Sequence, residues 1–128
     1  MNLVFFIHKN SSNKGAILKQ IIDQHFKKVE IQIFHTFHKF ELKLEQVSDY
    51  NKEIFILLAD SRKRLDRLTS LLDLFESKRL ILILPDDSKD SISIAHKISP
   101  RYFTFVNNTY SDLCAVIKKM MNIKKITE

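Results

Sequence analysis

Glycine is almost missing from this chain of 128 residues; Gly15 stands alone. A phosphate cradle of the Walker or dinucleotide type needs several residues free to take positive φ, so neither can be assembled here. A single cysteine, Cys114, excludes an internal disulfide and a cysteine-rich zinc site, and it fits a reducing, cytoplasmic setting. There are two prolines and no tryptophan, which excludes collagen-like and linker-like composition. Long hydrophobic runs are also lacking. The first one, Asn2 to Ile7, is too short for a signal peptide or a membrane span.

What is present describes one ordinary globular domain, with 45% apolar and 28% charged residues and enough length to bury a core. The net charge is +6 and the excess sits late in the chain. Residues 1–60 carry eight lysines against seven acids, whereas residues 61–128 carry thirteen Lys and Arg against eight acids. The densest parts are Arg62, Lys63, Arg64 and Arg67, then Lys118, Lys119, Lys124 and Lys125. Runs of this kind can contact phosphates, but no aromatic residue interleaves them, and helices separated by strands do not build a helix-turn-helix. They read as solvated surface, and nucleic-acid binding by this domain alone is not expected.

Leu3 to Ile7, Ile54 to Leu58 and Leu80 to Leu84 are short, uniformly apolar runs, the pattern of strands covered on both faces. Val29 to Phe34 alternates apolar and polar residues, as an edge strand does, and Tyr102 to Val106 follows Pro100 as a fifth strand. Helical spacing fills the intervals. Ser12 or Asn13 opens a helix with Ile17, Ile21, Ile22 and Phe26 inward; Thr36 opens one with Phe37, Phe40 and Leu44; Ser61 caps one with Leu65, Leu68, Leu72 and Phe75. Ser88 to Ile98 carries Ile92, Ala95 and Ile98, and a last helix from Thr109 or Ser111 to about Asn122 carries Leu113, Val116, Ile117 and Met120. Alternation of strands and helices predicts an α/β three-layer α/β/α sandwich, flavodoxin-like, with a five-stranded parallel sheet in the order 2-1-3-4-5. Residues 1–122 form the domain, and residues 123–128 read as a frayed tail or the start of a linker.

Ligands of such sheets bind beyond the carboxyl ends of the strands, near the reversal of strand order between the first and third. Those ends hold His8 and Lys9, His35, Asp60 and Ser61, Pro85 with Asp86 and Asp87, and Asn107 with Asn108. His8, His35, Asp60 and Asp86 offer imidazole and carboxylate groups suited to zinc or iron if they converge, although no short ligand spacing such as HExxH is present. Cys114 lies near an apolar stripe and reads as a buried, inert thiol.

The segment from Glu53 to Asp60 resembles the third strand and phosphoacceptor aspartate of bacterial response-regulator receiver domains, with Asp60 one or two places beyond the family's position. The segment from Tyr102 to Leu113 is similar to their fifth strand and last helix, and the resemblance covers about residues 2–122. The departures concern the chemistry. Where receivers have an acidic pair for Mg²⁺ after the first strand, this chain has His8 and Lys9; where they have Thr or Ser ending the fourth strand, it has Leu84 and Pro85; where they have Lys after the fifth, it has Val106 and Asn107.

The resemblance therefore implies a degenerate receiver, a pseudo-receiver with no phosphoryl chemistry and no cofactor, acting by protein contact. The remnant of the phosphoacceptor pocket would be His8, Lys9, Asp60, Pro85, Asp86 and Asn107. Receivers associate through the face around the fifth strand, which here would present Lys97, Arg101, Tyr102, Asp112, Lys118 and Lys119 to a protein partner or a second copy. The competing expectation is a flavodoxin-like ligand- or metal-binding enzyme domain built on His8, His35, Asp60 and Asp86.

Overall fold

A computed structural model describes residues 2–126 apart from 48, 50 and 51. Five strands, β1 (Asn2–Ile7), β2 (Glu30–Phe34), β3 (Glu53–Leu58), β4 (Leu80–Leu84) and β5 (Tyr102–Phe105), pair in parallel in the order β2-β1-β3-β4-β5. The order follows from the side chains. Every residue of β3 and β4 is buried, as central parallel strands require, whereas Glu30 and Gln32 expose one row of β2 at the edge.

The two faces of the sheet make two cores. Val4, Phe6, Phe55 and Leu57 meet α2 (Phe37–Glu45), α3 (Arg62–Leu68), α4 (Leu72–Phe75) and α5 (Lys89–Ile98) on one side. Phe6 stacks on Phe40 with ring centres 4.9 Å apart. Leu3, Phe5, Ile7, Ile54 and Ile56 meet α1 (Ser12–His25) and α6 (Ser111–Ile126) on the other. Cys114 belongs to this second core, and burial pushes its thiol pKa up. Glu53, buried at the start of β3, is matched by Lys43 at 2.9 Å.

Several helices differ from the expected spacing. α1 starts after a 3-10 turn over Lys9–Ser11, and it turns Gly15, Leu18 and Ile22 inward, leaving Ile17 54% exposed. The helix expected to run from Ser61 to Phe75 is interrupted by a 3-10 turn over Thr69–Leu71. There the Thr69 and Ser70 hydroxyls donate to the carbonyls of Asp66 and Arg67, competing with the helical ladder. The phase shift buries Leu71 and turns Leu72 outward. In α5 it is Ile94 that is buried, with Ile92 only half-buried. The backbone of α6 continues to Ile126, four residues into the segment read as a tail; residues 127 and 128 lie outside the described residues. Ser77 and Ser99 take positive φ, 66° and 55°, at positions where a chain richer in glycine would commonly place one. Among the described residues no helix is long and apolar enough to cross a membrane.

Candidate functional site

β1 and β3 end side by side, Ile7 opposite Leu58, so the residues that follow them share the crevice where strand order reverses. His8 leaves β1 and Asp60 lies two residues past β3. Between them sits Arg64. Its Nη1 donates to Asp60 Oδ1 at 2.6 Å, and its Nη2 donates to His8 Nδ1 at 3.1 Å. The side chains of this ion pair are 22% and 13% exposed, so it is screened less than a surface pair.

The local sequence accounts for this placement. Ser61 caps α3 by accepting the Arg64 N–H at 3.2 Å, which puts Arg64 at the third helical position. In a capping box the third position holds Glu or Gln reaching back toward the cap. Here an arginine reaches back, and the carboxylate of Asp60, four residues earlier, receives it.

The electrostatics follow from those contacts. Burial works to raise the Asp60 pKa, but the Ser11 hydroxyl and Arg64 outweigh it and hold the carboxyl below its usual range. Burial also disfavours a charged His8, and the cations of Arg64, Lys9 and Arg67 lower its pKa further. His8 Nδ1 accepts from the Asn10 N–H as well as from Arg64, which assigns its proton to Nε2. The cluster is a carboxylate, a guanidinium and a neutral imidazole, each satisfied by another.

The other expected residues are employed elsewhere. Lys9 is exposed in the turn after β1, its backbone N–H bonded to the His35 carbonyl. His35 Nδ1 donates to the Ile7 carbonyl at 2.9 Å. Asp86 Oδ1 accepts from the Ser88 N–H at 3.0 Å and the Ser91 hydroxyl at 2.7 Å, and these bonds hold its carboxyl below the usual range while organising the start of α5. Pro85 is half-buried after β4, and Asn107 is exposed in the turn after β5. The expected convergence of His8, His35, Asp60 and Asp86 therefore does not occur. Asp60 is taken by Arg64, Asp86 by α5 and His35 by β1, and among the described residues no three His, Cys, Asp or Glu side chains gather as a metal site.

Of the residues expected around β5, Lys97, Arg101, Asp112 and Lys119 are exposed and Tyr102 is half-buried at the edge of the sheet. Lys118 departs from this group. Its Nζ lies 5.9 Å from the Phe26 ring, on the α1 side of α6, because α6 turns that flank toward the end of α1.

The basic run also differs from a plain solvated face. Arg62 bridges Asp66 and Asp90, each at 3.4 Å, tying α3 to α5. Arg67 stacks over Phe37 of α2 at 4.2 Å. The aromatic partner missing from the run in sequence is supplied in space by the neighbouring helix. Arg64 and Arg67 are thus the site residues that the one-dimensional reading left as surface charge.

No family model matches the chain, and no curated protein matches it. Two solved structures share its fold. A CheY-like protein (tadZ) from Pseudomonas aeruginosa PAO1 superimposes with a TM-score of 0.65 at 11% identity, over 94% of this chain and 93% of the other. A CpaE2 pilus assembly protein from Sinorhizobium meliloti 1021 gives a TM-score of 0.61 at 12% identity, over 94% of this chain and 99% of the other. The fold is CheY-like. At these identities the likeness concerns architecture, the receiver arrangement of five parallel strands in the order 2-1-3-4-5.

Proposed function

We propose that this receiver-like domain is a pseudo-receiver signalling module that works through protein contacts and carries no phosphoryl-transfer chemistry. The observation that supports this reading is Arg64 lodged between Asp60 and His8. Phosphorylation of a carboxylate gathers several negative oxygens and needs a divalent cation in a cage of hard oxygen ligands, with a further cation on the phosphoryl group. A guanidinium bonded to Asp60 answers the negative charge from within the chain, and it offers no open coordination position. Its hydrogen bond and charge stabilise the carboxylate and so weaken it as a nucleophile.

The surface around β5 is the contact face in this reading. Arg101 and Tyr102 at the strand, Lys97 on α5 and Asp112 at the start of α6 put both charge signs and an aromatic ring beside an edge strand. A symmetric pair of copies is the simplest partner arrangement for such a face. The fold likeness to a pilus assembly protein agrees with a role by contact.

Incubation with acetyl phosphate and Mg²⁺ tests the chemistry. Intact-mass measurement should show no phosphoryl adduct on the wild-type chain. An adduct that disappears in Asp60→Asn would overturn the reading.

A further inference from the structure

Beside the Asp60 cluster, between α2 and α3, opens a cleft of about 500 Å³. The half-buried Phe37 forms its apolar wall, backed by the buried Phe6, the two rings edge to face at 6.4 Å. Ser61, Lys63, Arg64 and Arg67 of the α3 region line the rest of it, with His8 and Asn10 from the turn after β1. No carboxylate is among the described residues that line it. Arg64 is neutralised by Asp60, but among the described residues neither Lys63 nor Arg67 has an acidic partner. Stacking on Phe37 restrains the Arg67 guanidinium in this cleft, and the stack does not consume its N–H donors.

We propose that this cleft binds an aromatic monophosphate, a small planar body carrying one phosphate group, of which a nucleoside monophosphate is the representative. Charge selects the head group, because two uncompensated cations balance one phosphate dianion. A guanidinium and an ammonium on a single helix, with the Ser61 hydroxyl at its cap, supply charge-assisted donors for it. Volume and wall select the body. The cleft falls in the range of small-molecule sites, about 300–1,000 Å³, and an inorganic phosphate would leave most of it as water against the Phe37 ring. A longer nucleic-acid strand needs a track of cations, whereas this pair sits in one concavity. The site does not depend on whether Asp60 accepts a phosphoryl group, so it stands or falls separately from the pseudo-receiver reading.

The test is a titration of the full chain with adenosine 5′-monophosphate in 50 mM salt, followed by amide NMR shifts, with adenosine and inorganic phosphate as parallel arms. Saturable shifts confined to residues around Phe6, Phe37 and α3 are expected, with binding at least ten-fold tighter than to either fragment. Lys63→Gln/Arg67→Gln should weaken binding at least ten-fold with the remaining spectrum unchanged. Arg67→Lys should weaken it less, since charge is kept and the stack is lost. Equal binding of inorganic phosphate would mean that the aromatic wall is not read. Equal binding of adenosine would mean that the phosphate is not read. Either result, or shifts that ignore the double variant or map to the Lys27, Lys28 and Lys118 surface, would overturn the proposal.

Discussion

We expect Gly15→Ala to destabilise the protein, although replacing a glycine inside a helix by alanine ordinarily stabilises by about 1 kcal/mol. Gly15 is buried in α1 against Ile7, the last residue of β1, and its φ is not positive, so space alone decides the outcome. An alanine Cβ there would overlap Ile7 Cγ2, with Ile7 Cβ at 3.5 Å and Cδ1 at 3.7 Å. Ile7 cannot step aside cheaply. It is 4% exposed, held opposite Leu58 by the sheet, and β-branched, so its χ1 has few alternatives. Forcing a methyl into such a contact costs about 1–3 kcal/mol. The net expectation is a loss of up to about 2 kcal/mol, once the helix-propensity gain is subtracted. Ile7→Ala removes the obstructing methyl and by itself costs about 2–5 kcal/mol. In that background Gly15→Ala should become stabilising by up to about 1 kcal/mol, a coupling of about 1–3 kcal/mol between neighbours. Urea unfolding at fixed pH reads all four proteins through their midpoints, provided the slopes agree. If Gly15→Ala stabilises the wild-type chain, or changes stability equally in both backgrounds, the packing argument is wrong.

Acid should weaken the Asp60–Arg64–His8 cluster in two stages. The His8 pKa is lowered from about 6.5, so its contribution is complete above that pH and falls away as the unfolded chain takes up a proton first; Asp60, lowered from about 3.8, does the same further down. Urea midpoints should therefore drop more between pH 7 and pH 5 in the wild type than in His8→Gln, and identical profiles would contradict the assignment of a neutral His8. Association through the face around β5 should appear in light scattering as a concentration-dependent dimer that Asp112→Lys disrupts; a monomer at every concentration, or a dimer indifferent to that reversal, would remove Asp112 from the contact.

Architecture was legible where burial alone dictates residue choice. A strand covered on both faces holds a polar residue only at its end and with a partner, as Glu53 has in Lys43, so the apolar runs of β1, β3 and β4 announce themselves and leave β2 and β5 for the edges. Rotation of the helices was harder to read, because it depends on which contact wins in three dimensions. Ile17 fits the spacing of an inward stripe as well as Leu18 does. Close approach of Gly15 to Ile7 fixes the contact line of α1 at positions 15, 18 and 22, and Ile17 is left outside. Leu72 was misplaced for a different reason. Two hydroxyls redirect their bonds to carbonyls one turn back, the chain tightens to a 3-10 turn, and every later position shifts around the axis.

At the site, absence was easier to read than replacement. The residues after β1 lack the acidic pair, and that can be seen in one dimension. Arg64 answers the lone Asp60, and this was hidden by composition, since four basic residues within six positions look like one solvated face. A signal did exist. Asp60 and Arg64 stand four apart across the Ser61 cap, a spacing that brings acid and base together at the start of a helix. The same logic separates the members of the run by partner. Arg62 is held by two carboxylates, Arg64 by Asp60 and His8, and Arg67 by the Phe37 ring; among the described residues Lys63 has neither an acid nor a ring as partner. Two arginines are thereby spent on internal charge and two cations are left facing an apolar wall. For this reason the crevice chemistry of Asp60 and the neighbouring cleft are separate questions, although one short helix builds both.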